Sequence, residues 1–141
     1  MKKVRVIYWS GTGNTEKMAQ AVASGAKTAD TEVTLLSVAE ATAKHVEEAD
    51  YLALGCPSMG NEELEESEME PFVNSIASLV KNKPLVLFGS YGWGDGQWMN
   101  DWTQRMKDQG ATLVDDSLII NETPDDEGLK KCRTLGMQLV K

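Results

Sequence analysis

The sequence predicts an α/β protein built on a doubly wound, five-stranded parallel sheet of order 2-1-3-4-5, in a three-layer α/β/α arrangement. Short apolar runs alternate with segments of helical period, and strands that are apolar on both faces with helical crossovers call for a parallel sheet covered on both sides. Right-handed crossovers among five such strands favour the doubly wound order. The 141 residues contain no linker, repeat or low-complexity tract, so residues 1–141 are expected to form one domain with a sizeable core.

Val4–Trp9 reads as the first strand, and Asn14–Lys27 as a helix with Met18, Ala19, Val22, Ala23 and Ala26 on one face. Glu32–Val38 is the second strand, Ala41–Glu48 a short, weak helix, and Tyr51–Gly55 the third strand. Pro71 is placed first in the next helix, where its missing N–H costs nothing; Phe72, Val73, Ile76, Leu79 and Val80 follow at helical spacing. Pro84–Ser90 is the fourth strand. Trp98–Gln109 is a helix presenting Trp98, Met99, Trp102 and Met106, with Gly110 as its stop. The fifth strand lies within Ala111–Ile120, and Asp125–Lys141 is the last helix, with Leu129, Cys132, Leu139 and Val140 inward.

Hydrophobic content of 41% and charged content of 26% are ordinary for a globular chain. A net charge of −8 argues against nucleic acid and anionic membrane as partners and suits a basic protein partner or plain solubility. No apolar stretch approaches a membrane span and no secretory leader is expected, so a cytoplasmic protein is expected. Cys56 and Cys132 share no C-x-x-C spacing and read as free, packed thiols.

Ligands of such folds sit beyond the carboxyl ends of the strands, at the switch point between strands one and three. The loops concerned are S-G-T-G-N-T (Ser10 to Thr15), C-P-S-M-G-N-E (from Cys56) and S-Y-G-W-G-D-G (from Ser90). In the first, Gly11 and Gly13 let successive N–H groups face one point, Ser10, Thr12 and Thr15 add hydroxyls, and the helix starting at Asn14 adds its positive end. That set suits a phosphate, although no Lys or Arg lies between Arg5 and Lys17. Other phosphate motifs fail: G-x-x-x-x-G-K-[ST] is missing, and Glu16 stands where G-x-G-x-x-G needs its third glycine. The acidic pair of a receiver domain and the Cys and Arg of a low-molecular-weight phosphatase are also lacking. Met59 and Trp93, in opposing loops, could hold a flat aromatic group between thioether and indole. Trp98 and Trp102 read as core or cover, and Trp9 as core or site.

Taken together, S-G-T-G-N-T-E, G-C-P-S-M-G-N-E-E-L-E and G-S-Y-G-W-G-D-G resemble the short-chain flavodoxins of the clostridial type, over essentially the whole chain. Flavodoxins are themselves a standard instance of this strand order and switch point. The resemblance implies a flavodoxin-like fold and tightly but non-covalently bound FMN, shuttling single electrons at low potential. It implies phosphate binding by Ser10, Gly11, Thr12, Gly13, Asn14 and Thr15, and a flavin flanked by Met59 and Trp93. Glu62 would accept from the flavin N3–H, backbone around Gly92 and Gly94 would meet the pyrimidine edge, and Ser90 and Tyr91 would line the same loop. Gly60-Asn61 lies in what reads as a four-residue turn, Met59–Glu62, with positive φ tolerated at both central residues. In the family the central peptide flips toward flavin N5 and stabilises the neutral semiquinone. Many relatives carry Asp where Asn61 stands.

Residues 45 to 80 contain no Lys or Arg, and Glu62, Glu63, Glu65, Glu66, Glu68 and Glu70 follow the second loop. Together with an uncompensated phosphate, they would oppose a reduced, anionic flavin and would attract basic redox partner proteins to the acidic flavin edge. The plainer reading is a solvated helix start, where Glu is favoured anyway. His45, the only histidine, is expected at the surface, and no metal-ligand cluster or activated nucleophile is visible. The expectation is a monomeric electron carrier without substrate turnover. The rivals are a flavin reductase and a regulatory or activator flavoprotein on the same fold.

Overall fold

The computed structural model describes all residues, 1–141, as one sheet between two helical layers. In chain order the elements are β1 (Lys2–Tyr8), α1 (Asn14–Ala26), β2 (Thr31–Ser37), α2 (Ala43–Glu48), β3 (Tyr51–Gly55) and α3 (Met69–Ser75). A 3-10 turn at Ala77–Leu79 leads to β4 (Pro84–Tyr91), α4 (Gln97–Asp108), β5 (Thr112–Leu113), β6 (Leu118–Asn121) and α5 (Asp126–Leu139). The strands are all parallel in the order β2-β1-β3-β4-β5, and β6 also pairs β4. The expected fifth strand is thus broken in two: Leu113 pairs Leu85, and Leu118 pairs Phe88. Asp115 and Asp116 occupy the gap, where both carboxylates stay in water rather than against β4.

Alternation along the strands divides the core. Leu52 and Leu54 of β3, with Leu85 and Leu87 of β4, face α2, α3 and α4. Ala53, Val86 and Phe88 face α1 and α5. Trp98 and Trp102, 2% exposed each, are core residues of the first layer. Cys56 and Cys132 are free and buried, and burial pushes both thiols up to about 12, so neither forms a thiolate near neutrality. His45 is half-buried and local in its role: its Nδ1 accepts the Thr42 N–H at 2.9 Å, closing the start of α2.

Pro71 is the third residue of α3, not the first, because Glu65 begins the helix earlier. The Glu65 carboxylate is buried and gathers the N–H groups of Ser67 at 2.8 Å, Glu68 at 2.8 Å and Met69 at 3.0 Å, with the Ser67 hydroxyl as a further donor. Burial alone would raise its pKa; the bonds from Ser67, Met69 and Glu68 outweigh burial and hold it below the ordinary 4.5. A depressed folded-state pKa contributes stability that is complete above the unfolded value and is lost as pH falls through the folded one. Glu65→Gln is therefore expected to lower the unfolding free energy at pH 7 by about 1–3 kcal/mol. In urea titrations the two proteins should converge as acid protonates Glu65.

Candidate cofactor site

The first loop turns at Gly13, whose φ of 97° lies in the left-handed region just before α1. Ser10 fastens the turn: its Oγ accepts the N–H of Gly13 at 3.1 Å and of Glu16 at 3.2 Å. With both lone pairs engaged, its hydroxyl proton remains for donation outward. The N–H groups of Gly11, Thr12, Asn14 and Thr15 have no acceptor within the protein. The last two open α1 and carry the positive end of its dipole. Behind them Thr15 and Ser90, both buried, share a hydrogen bond of 2.9 Å.

These donors form one wall of a cleft of about 270 Å³. Trp9 and the loop residues Ser10, Gly11, Thr12, Asn14 and Thr15 line that wall; Pro57, Ser58 and Met59 come from the second loop. Ser90, Tyr91 and Gly92 come from the third, and Glu122 completes the lining. No Lys or Arg lines the cleft. A phosphate monoester fits such a set of neutral N–H and O–H donors, and the Met59 thioether and Tyr91 phenol ring in the same lining suit the aromatic end of a flavin nucleotide. A larger depression of about 640 Å³ lies between α4 and the break in the fifth strand, and shares only Asp95 and Gly96 with the third loop.

Gly13, Gly60, Asn61, Glu62, Trp93 and Gly94 do not line the cleft. Trp93 follows Gly92 and is 63% exposed. Gly60 and Asn61, with Met59, face a second cleft of about 480 Å³ toward the start of α3. The turn differs from the expected one: Met59 and Glu63 exchange two backbone bonds, of 2.9 and 2.8 Å, so three residues lie between them. The left-handed positions are Gly60 (φ 51°) and Glu62 (φ 57°), not Asn61. A three-residue loop closed by such a pair commonly needs a left-handed last residue, and here that residue is glutamate. The Glu62 side chain offsets the backbone cost, because its Oε1 accepts the N–H of Asp95 at 3.0 Å and of Gly96 at 3.2 Å. Its other oxygen has no hydrogen bond within the protein. Gly94 follows from this contact, since a Cβ there would meet Glu62 Oε1 at 2.0 Å.

The acidic segment is less uniform than its sequence. Glu65 caps α3, Glu68 accepts the Trp9 indole N–H at 3.2 Å, and Glu70 is held by both Arg105 nitrogens at 2.7 Å. Only Glu63 and Glu66 are simply exposed. Arg105 stands far along the chain, which is why the cation-free window of sequence hid it. Pro57, Ser58 and Glu122 line the cleft without being singled out by the sequence, and Trp9, which the sequence leaves as core or site, lines it too. Glu122 carried no local signal, since the pairing of β6 with β4 brings it there, its N–H donating to Tyr91 O at 2.7 Å.

Residues 6–136 match the family model described as Flavodoxin. The chain belongs to the flavodoxin family. Among curated flavodoxins it is 43% identical to that of Clostridium beijerinckii over 136 residues, covering 96% of this chain and 98% of the relative. It is 45% identical to the Megasphaera elsdenii flavodoxin over 133 residues, covering 94% and 95% respectively. The solution structure of two-electron reduced Megasphaera elsdenii flavodoxin superposes with a TM-score of 0.88 at 43% identity, over 97% of this chain and 98% of that one. This flavodoxin is accordingly an FMN-binding electron carrier, and its strand order is the one its family shares.

Proposed function

We propose that this flavodoxin, as a single domain and a monomer, carries electrons one at a time at low potential between redox proteins in the cytoplasm, without substrate turnover of its own. FMN supplies a ring that takes up and gives back single electrons. The observation that carries the reading is the cation-free loop from Ser10 to Thr15, with its unpaired N–H groups on a cleft that also contains Met59 and Tyr91.

The loop's N–H groups and the Ser10, Thr12 and Thr15 hydroxyls bind the phosphate and leave its charge unneutralised. Met59 and Trp93 flank the ring, and the free oxygen of Glu62 accepts from the ring's imide N–H. Glu62 and Glu122 add negative charge beside an anionic cofactor and oppose further reduction, more strongly where water is excluded. Glu63 and Glu66, both exposed, present a face for basic partner proteins beside the turn.

Trp93→Ala tests the flanking role. Because Trp93 is 63% exposed, the unfolding midpoint of the apoprotein is expected to stay nearly unchanged. Fluorescence titration should show oxidised FMN held about fivefold to tenfold more weakly. Unaltered FMN affinity would remove Trp93 from the site.

A further inference from the structure

Glu65 is the only carboxylate that the fold buries, at 5% exposure, and capping α3 does not use up its consequences. Its own N–H donates to Cys56 Sγ at 3.4 Å, fastening the segment to the end of β3. The Met59–Glu63 turn lies between two anchors: the Ser58 N–H donates to Ser90 O at 3.0 Å on one side, and Leu64-Glu65 are buried on the other. Between the anchors the Met59–Glu63 bonds and the Glu62 carboxylate close the turn, and only its tip, Gly60-Asn61, makes no hydrogen bond. Gly60 has no neighbour within 4 Å of a Cβ position, and the 480 Å³ cleft separates Met59, Gly60 and Asn61 from Glu65 and Ser67. The same carboxylate holds the Glu68 N–H, and Glu68 in turn accepts the Trp9 indole N–H at 3.2 Å. The Trp9 ring backs the phosphate loop, lying 3.1 Å from where a Gly11 Cβ would stand.

We propose that Glu65 is a positioning residue for the cofactor: its buried carboxylate fixes the far anchor of the Met59–Glu63 turn and, through Glu68 and Trp9, the wall behind the phosphate loop. This rests on the assignment of that turn to the flavin. The family resemblance implies that this turn changes its peptide orientation between redox states, and such a change needs ends that do not move. The anchor therefore sets how much the reorientation stabilises one redox state over the next. A carboxylate supplies this with acceptors alone, whereas a carboxamide presents an NH₂ to N–H groups on one side.

The test compares FMN-loaded wild type with Glu65→Gln in potentiometric titrations that resolve both one-electron midpoint potentials, beside urea unfolding of each apoprotein. The expected result is a narrower gap between the two potentials, corresponding to about a tenfold change in the equilibrium constant between the redox states. A fall in apoprotein stability with an unchanged gap would overturn the proposal and leave Glu65 as a helix cap only. Failure of the wild type to retain FMN would instead overturn the site assignment. Should Glu65→Gln not fold, Ser67→Ala removes one of the four donors and keeps the carboxylate. It is expected to narrow the gap by about threefold in the same constant, and no change there would equally overturn the proposal.

Discussion

Replacing Gly89 by alanine is expected to destabilise the apoprotein by about 3 kcal/mol and to release FMN. Gly89 lies in β4, and a Cβ built there would stand 2.1 Å from the Cys56 carbonyl oxygen and 3.1 Å from the Trp98 ring. Neither neighbour can retreat freely. The Trp98 indole N–H donates to that same carbonyl at 3.2 Å, Trp98 is 2% exposed, and the Cys56 N–H donates to Phe88 O at 3.1 Å. The backbone shift that admits the methyl must move Cys56, and with it Pro57, Ser58 and Met59 on the cleft wall. Chemical denaturation reads the stability loss, and ultrafiltration after FMN loading reads retention. A variant as stable as wild type would mean that the crevice between β3 and β4 is looser than its contacts indicate.

The second large effect is expected at Thr15. Thr15→Val keeps the side-chain volume but removes the hydroxyl that pairs with Ser90 at 2.9 Å in a buried setting. Leaving Ser90 Oγ without that partner should cost about 1–3 kcal/mol of stability. If Thr15 also serves the phosphate, FMN affinity should fall about tenfold or more while riboflavin, which has no phosphate, binds as to wild type. Thr15→Ser restores the hydroxyl and should restore FMN binding. Equal losses for FMN and riboflavin would place the effect in the loop's folding rather than in phosphate contact.

Much of this architecture was legible from local pattern. Apolar runs identified the first four strands, and the helical spacing of Trp98, Met99, Trp102 and Met106 identified a buried face. The glycine-rich loops after strands one, three and four were readable as a convergent set because parallel topology brings those strand ends together. Contacts between distant segments were not readable. Nothing near Glu70 announces Arg105, and nothing near Trp9 announces Glu68. Two tendencies were misjudged where tertiary contacts prevailed. The Gly60-Asn61 pair suggested left-handed residues side by side, but the Met59–Glu63 bonds and the reach of Glu62 to Asp95 moved the second one to Glu62. The stretch Ala111–Ile120 read as one strand, although its two adjacent aspartates were themselves a signal that it would open to solvent.

On the function proposed above, the central device would be an uncompensated negative site: a phosphate held by neutral donors, next to carboxylates, opposing the last electron. Stepwise anaerobic reduction of the FMN-loaded protein, followed by its visible spectrum, tests this most directly. The expected course is a long-wavelength absorption band that rises over the first electron and decays only at much lower potential over the second. Direct bleaching in one two-electron step, with no such band, would contradict the account.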